Sequence, residues 1–172
     1  AAKYNLSISN DYYSYQATHG YDVAGIGRED ASNTHTEAQS DSILQLGNPS
    51  ALDANKEYLL FGHENGDVSS WTTTEAPDAG VNIQRIAREW RIDETGDLGT
   101  IDFTIDAANL PTLPAGHTMY ALMIDSDGDF SSGALVYEMV LNAGTEYEAL
   151  AIDVADGDFA SIAVVDPKVQ HT

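Results

Sequence analysis

Apolar and polar residues alternate along most of this chain, and the alternation constrains the fold more than any other feature. A period of two is typical of a β-strand with one buried face, because successive side chains of a strand point to opposite sides. Turn residues separate the alternating segments, as in Asn65-Gly66. Strands are predicted at 21–26, 42–46, 57–61, 83–92, 100–105, 117–124, 134–140, 147–152 and 159–165. Short strands at this spacing predict an all-β fold, an antiparallel β-sandwich with long loops.

Three segments depart from simple alternation. In the segment 83–92, Ile86, Trp90 and Ile92 share one parity, which favours a strand with Trp90 packed inward. An amphipathic helix is the alternative there, because short windows separate the two patterns poorly. Residues 27–41 and 66–82 are polar and irregular. They are predicted to be long surface loops, which often carry function on a rigid scaffold.

Length and charge bound the number of domains and the class of partner. With 172 residues and a hydrophobic fraction of 42%, the chain can bury one sizeable core, so residues 1–172 are predicted to form a single domain. The net charge of −21 disfavours nucleic acid, which needs a basic surface. No apolar run approaches the roughly 20 residues of a transmembrane helix, so no membrane insertion is expected.

The densest group of hard oxygen ligands is the segment 125–133, Asp-Ser-Asp-Gly-Asp-Phe-Ser-Ser-Gly. Asp125, Asp127 and Asp129 match the first, third and fifth positions of a calcium loop. Phe130 and Val136 stand where an EF-hand has its glycine and its bidentate glutamate. The pattern therefore favours a Ca²⁺ site that is not an EF-hand. A solvated acidic turn is the alternative, since Asp and Gly also suit turns.

A second acidic group follows the strand 21–24. Glu29 and Asp30 are candidate ligands of a second calcium ion, and Arg28 is a candidate either to orient them or to bind an anionic ligand through its planar guanidinium. A surface ion pair of small energetic weight is the alternative.

A third group is His63-Glu64-Asn65-Gly66-Asp67. Asn-Gly alone indicates a hairpin. The flanking Glu64 and Asp67 are additional candidates for calcium ligands, and Asn65 is a candidate for ligand contact. Asp156-Gly157-Asp158 is better explained as a plain turn.

Tyrosines cluster near the N-terminus at Tyr12, Tyr13 and Tyr15. Their rings and hydroxyls suit stacking on a sugar or a peptide, although an edge strand with one buried face is the favoured interpretation.

Enzyme signatures are weak. His63-Glu64 lacks the second histidine of the zinc-protease motif, no Gly-x-Ser-x-Gly occurs, and the histidines do not have a zinc-ligand spacing. The protein is therefore predicted not to be an enzyme.

Four motifs in order resemble a known family. They are Tyr-Asp-Val-Ala-Gly-Ile-Gly-Arg-Glu-Asp at 21–30, Leu-Phe-Gly-His-Glu-Asn-Gly at 60–66, Arg-Glu-Trp-Arg-Ile-Asp-Glu-Thr-Gly at 88–96 and Ile-Asp-Ser-Asp-Gly-Asp-Phe at 124–130. With these motifs the chain resembles the calcium-dependent peptide-binding domain of bacterial RTX adhesins.

This resemblance implies a β-sandwich with long calcium-binding loops and several structural Ca²⁺ ions. It implies an extracellular module on the bacterial cell surface, monomeric within a long adhesin exported by type I secretion. The implied partner is a peptide or protein C-terminus on a host or neighbouring cell, whose carboxylate a surface Ca²⁺ helps to bind. The family motif places residues 28–30, 64–67 and 125–129 in the relevant loops. A carbohydrate-binding module of the same build and a calcium-stiffened spacer are the alternatives.

Overall fold

Two antiparallel sheets pack against each other in the structure, a computed structural model that describes residues 13–77 and 82–166. The strands are β1 Tyr21–Asp30, β2 Asn33–His35, β3 Glu37–Gln39, β4 Leu44–Gly47, β5 Glu57–His63, β6 Ile83–Arg85, β7 Trp90–Thr95, β8 Thr100–Asp106, β9 Met119–Asp125, β10 Leu135–Glu138, β11 Val140–Ala143, β12 Glu146–Asp153 and β13 Phe159–Val165. One short helix, α1 Gln16–His19, precedes β1, and a 3₁₀ helix spans Ala107–Asn109. The predicted all-β sandwich is confirmed.

The first sheet has the strand order β10-β9-β13-β7-β5-β1-β2, and β6 also pairs with β13. The second has the order β11-β12-β8-β4-β3. In neither sheet does the strand order follow the chain order, so segments that are far apart in sequence become neighbours. No helix among the described residues is long and apolar enough to cross a bilayer.

The main core lies between the sheets and follows the predicted alternation. Along β8, Ile101, Phe103 and Ile105 are buried and the residues between them are half-buried. They share one cluster with Trp90 and Ile92 of β7. A second, smaller cluster covers the other face of the first sheet around β9 and β13. As a result β13 is buried along its whole length.

The predicted strand 83–92 divides into β6 and β7. Both pair with β13, one after the other, and residues 86–89 leave the sheet between them. The Ser161 hydroxyl lies 3.3 Å from the Ile86 carbonyl and 2.9 Å from the Arg88 carbonyl, so a side chain satisfies the backbone there. The helix alternative is wrong, and Trp90 is fully buried as predicted.

The predicted strand 134–140 divides at Met139. Its first part, β10, is an edge strand of the first sheet, and the chain then crosses to β11, an edge strand of the second. Met139 is buried at the crossing and its N–H donates to the Tyr120 carbonyl. Alternation does not reveal such a crossing, because both halves remain extended.

Two further predictions need correction. The expected loop 27–41 contains the end of β1 and the short strands β2 and β3. β2 and β3 are edge strands, and short edge strands tolerate polar side chains. Tyr13 and Tyr15 precede α1 and do not form an edge strand, although Tyr13 is buried. Tyr12 and residues 78–81 of the second predicted loop lie outside the described residues.

Candidate functional site

Three consecutive turns shape the segment after β9, and in each of them an aspartate carboxylate accepts a hydrogen bond from a backbone N–H. The Asp125 Oδ2 atom accepts the N–H groups of Asp127 at 3.0 Å and Gly128 at 2.8 Å. Asp127 Oδ1 accepts the N–H of Asp129 at 2.9 Å, and Asp129 Oδ1 accepts the N–H of Ser131 at 3.1 Å. Each short carboxylate thus reaches the backbone about two residues on, which explains the alternate spacing of the aspartates. This segment, residues 125–131, is called the acidic turn below.

Within the acidic turn the carboxyl groups of Asp125 and Asp127 interact directly. Asp125 is only 4% exposed. Its burial raises the pKa, and the adjacent Asp127 carboxyl raises it further. The pKa of Asp127 is lowered, chiefly by the hydrogen bond from the Asp129 N–H. No arginine, lysine or histidine in the described ranges forms an ion pair with either group.

Two adjoining carboxylates without a cationic partner have the chemistry that a hard divalent cation satisfies. Of the three predicted ligands, the structure therefore brings Asp125 and Asp127 together. Across residues 13–77 and 82–166, no group of three or more His, Asp or Glu side chains is placed to hold a metal ion. Any further oxygen ligands would have to come from the backbone, hydroxyls, water or a bound ligand.

The strand register places Asp125 in a row with two other side chains. Phe159 of β13 pairs with Asp125 of β9 on one side and with Arg91 of β7 on the other. Residues paired directly across antiparallel strands project to the same face. Since Trp90 and Ile92 lie in the core between the sheets, Arg91, Phe159 and Asp125 project from the opposite, outer face of the first sheet.

The guanidinium group of Arg91 lies against two aromatic rings. Its Cζ atom lies 3.8 Å from the centroid of the Tyr15 ring and 4.5 Å from that of Phe159. Its Nε donates to the Gly157 carbonyl at 3.3 Å. A Cβ atom at Gly128 would lie 3.3 Å from the Phe159 ring, so the acidic turn packs on that same ring. On the outer face, the acidic turn therefore contacts the Phe159 ring, this ring contacts the Arg91 guanidinium, and the guanidinium contacts the Tyr15 ring.

Glu29, a predicted calcium ligand, already has a cationic partner. Its carboxylate pairs with Lys56 Nζ and accepts a hydrogen bond from the Tyr58 hydroxyl. The Glu29 side chain is 14% exposed. Because a lysine neutralises this carboxylate, its surroundings fit the ion-pair alternative better than a metal ligand.

The neighbours of Glu29 are also engaged locally. Arg28 Nε donates to Asn55 Oδ1 at 3.0 Å. Asp30 Oδ1 accepts the N–H and the hydroxyl of Ser32, both at 2.8 Å. The hydrogen bonds from Ser32 lower the pKa of Asp30, which is fully ionised in this exposed turn at neutral pH.

The acidic residues after β5 accept hydrogen bonds as well. Glu64 Oε2 accepts the N–H of Glu89 at 3.0 Å. Asp67 accepts hydrogen bonds from the Ser69 N–H at 3.0 Å, the Ser69 hydroxyl at 2.7 Å and the Ser70 hydroxyl at 3.0 Å. These bonds, led by the Ser69 hydroxyl, lower the pKa of Asp67. Both carboxylates therefore shape the loop 64–70.

A buried polar network supports this loop, and sequence reasoning did not find it. His63 is fully buried. Its Nδ1 accepts the N–H of Asn65 at 2.9 Å, so Nε2 carries the hydrogen and donates to Asp22 Oδ2 at 2.7 Å. Arg88 donates to Asp41 Oδ2 at 2.8 Å and to Asn65 Oδ1 at 3.4 Å. Both ring nitrogens of His63 are occupied, so the ring positions Asn65 and is not an available general base.

The three predicted loops do not converge on one site. In the pairing of β1 with β5, Arg28 lies opposite Glu57 and Tyr21 lies opposite His63. The ends of these strands, residues 28–30 and 64–67, are therefore at opposite ends of the sheet. The strands β13 and β7 separate β5 from β9 and the acidic turn.

Comparison with known proteins identifies a family without an assigned activity. No curated protein and no solved structure matches the chain. A family model matches residues 1–158, a range that includes the acidic turn and Arg91 and stops just before β13. The chain therefore belongs to the family described as Domain of unknown function (DUF8202).

Proposed function

We propose that the protein is a calcium-dependent, non-enzymatic binding module of a bacterial cell-surface adhesin, which binds short peptides with the help of Ca²⁺ at the ligand's C-terminal carboxylate. The observation that carries the calcium part is the pair of carboxylates at the end of β9. Asp125 is buried against Asp127 and no described cationic side chain pairs with either. The two N–H groups that Asp125 accepts carry no net charge, and burying an ionised carboxylate without a cation remains costly. A bound cation offsets that cost.

In this proposal Asp125 and Asp127 hold the ion at the end of β9, an inner strand of the first sheet. A bound Ca²⁺ with open coordination positions supplies a local positive charge that attracts a carboxylate. Such a charge matters in a chain of net charge −21, which otherwise repels anionic ligands.

The peptide and adhesin parts of the proposal are supported by the motif resemblance and by the β-sandwich. The motifs at 21–30, 60–66, 88–96 and 124–130 keep their order along the chain. The partner proposed is a peptide or protein C-terminus on a host or neighbouring cell, and the module is proposed to act as a monomer within a longer extracellular chain.

The calcium part is tested by thermal unfolding and calcium calorimetry of the wild type and Asp127→Asn. We expect EDTA to lower the melting temperature of the wild type, because an ion bound only by the folded state stabilises it by about 2.7 kcal/mol at a hundredfold excess over Kd. Asp127→Asn keeps the shape of the side chain, removes its charge and is expected to lose most of this calcium response.

The matched control is Asp53→Asn, which removes one charge from an exposed aspartate elsewhere. This control should bind calcium like the wild type. Equal melting temperatures of the wild type in EDTA and in calcium would refute the metal site.

The peptide part is tested on an array of peptides that carry either a free or an amidated C-terminus, with and without calcium, beside a glycan array. We expect binding only to free C-termini and only with calcium. Binding confined to glycans would instead establish the carbohydrate alternative.

A further inference from the structure

The geometry points to Arg91 as a carboxylate-binding residue: we infer that the Nη1–Nη2 edge of its stacked guanidinium binds a carboxylate of the ligand beside the acidic turn. The inference adds a ligand-binding residue to the proposed function. It rests on that function in one respect, namely that the ligand is a peptide. The binding step itself requires no metal.

Of the four arginines, two pair with an acidic side chain, whereas Arg28 and Arg91 form no ion pair with any described residue. Arg85 and Arg88 pair with carboxylates at 3.3 Å and 2.8 Å. Arg28 donates to the Asn55 amide oxygen at 3.0 Å. In the part of the chain that the structure describes, Arg91 forms no ion pair, and its hydrogen bond is the one from Nε to the Gly157 carbonyl. In a chain with 28 acidic residues, an arginine without a carboxylate partner calls for an explanation.

The acidic residues near this arginine are engaged elsewhere. Asp93 Oδ2 accepts the N–H of Ser14 at 2.7 Å. Asp156 Oδ1 accepts the N–H of Glu94 at 2.9 Å. These hydrogen bonds direct the two carboxylates to the backbone, which leaves the Nη1 and Nη2 donors of Arg91 for another acceptor.

Arg91 is half-buried, and its surroundings restrict the guanidinium. The rings of Tyr15 and Phe159 both lie against it. Gly157 lies beside Nη2, and a Cβ there would lie 3.9 Å from Nη2 and 3.2 Å from the Tyr15 hydroxyl. Gly157 has φ +87°, a conformation that favours glycine and so keeps this position free of a side chain. A guanidinium held in this way loses little conformational entropy when it binds.

Carboxylate is the anion that fits best. The planar fork forms two parallel hydrogen bonds to a carboxylate, which a lysine ammonium does not. The surrounding acidic residues repel a doubly charged phosphate more strongly than a singly charged carboxylate. The row Arg91–Phe159–Asp125 spans two strand spacings, about 10 Å. An extended peptide of about three residues covers that distance.

The test is an NMR titration of the folded protein in EDTA, in which the Arg91 Nε–H resonance is followed on addition of N-acetylglycinate. The neutral N-acetylglycinamide is the matched control probe. We expect a saturable shift with a Kd on the order of millimolar for the carboxylate and no saturable shift for the amide. The Arg28 Nε–H resonance should not move with either probe.

A variant provides the second measurement. Arg91→Lys keeps the positive charge and removes the planar fork, so carboxylate binding followed at the Gly157 amide should weaken about tenfold or more. An unmoved Arg91 resonance, an equal response to the amide, or unchanged affinity in Arg91→Lys would each overturn the inference. Calcium calorimetry of the same protein tests the proposed function separately, so either idea can fail alone.

Discussion

Hydrogen bonding and burial move the carboxyl pKa values of individual residues in opposite directions. Asp30 and Asp67 accept hydrogen bonds from serines, which lower their pKa values. Glu94 and Asp158 are partly desolvated, which raises theirs. The residues of the first kind are ionised and satisfied within their own turns. Asp125 belongs to the second kind, and carboxylates of that kind gain most from a proton or a cation.

Glu94 yields a prediction about pH. Burial, assisted by the charges of Asp97, Asp153 and Asp156, raises its pKa from 4.5 to about 7. The folded state therefore holds the proton more tightly than the unfolded chain. The stabilisation from protonated Glu94 is complete below about pH 4.5 and is lost as the pH rises through about 7. We expect Glu94→Gln to gain stability relative to the wild type as the pH rises from about 5 to about 8.

Urea unfolding of both proteins across this pH range measures the difference. Asp53→Asn serves as the control, because it removes an acidic charge from an exposed position. A constant difference between Glu94→Gln and the wild type at all pH values would contradict the raised pKa.

At the scale of secondary-structure elements, the centre and the edges of the sandwich differ in burial. Every residue of β13 is buried, because neighbouring strands flank it and side chains cover both faces. Every residue of β11 is exposed, including Leu141 at 58%. The same aliphatic side chain should therefore matter very differently in these two strands.

This contrast predicts the effect of two matched truncations. Ile162→Ala in β13 opens a cavity in the core and should destabilise the protein by about 2–5 kcal/mol. Leu141→Ala in β11 removes a similar side chain from the surface and should change stability by less than about 0.5 kcal/mol. Urea denaturation of both variants provides the measurement. Similar losses in the two variants would show that β11 is covered in solution.

At the scale of the whole molecule, the charge is strongly unbalanced. The chain has seven basic and 28 acidic residues, which gives the net charge of −21. Mutual repulsion of these charges disfavours the compact state. Simple salts screen this repulsion over distances of about 10 Å at 0.1 M ionic strength. Screening therefore acts on all exposed charges at once, whereas calcium at the acidic turn would act at one point.

The balance of charge predicts that NaCl raises the melting temperature steadily between about 20 mM and about 500 mM, in EDTA. KCl should have the same effect, because screening depends on ionic strength. Asp127→Asn should keep this response while losing the response to calcium. A melting temperature independent of NaCl would show that self-repulsion contributes little to the stability of this fold.

The sequence alone determined the fold class and most strand positions, and it located the acidic turn. These features are local: alternation records which face of a strand is buried, and an aspartate reaches a backbone N–H about two residues away. The burial of Trp90 followed from the same parity argument. For that reason the sequence could predict that Asp125 and Asp127 lie together. It could not predict the association of Glu29 with Lys56 and Tyr58.

The tertiary structure decided which residues meet. The row of Arg91, Phe159 and Asp125 depends on the register of three strands, and the His63–Asp22 contact joins residues 41 positions apart. Register also places the loops 28–30 and 64–67 at opposite ends of one sheet. Periodicity carries no information on strand order or register, because these are set by packing and pairing between segments distant in the chain.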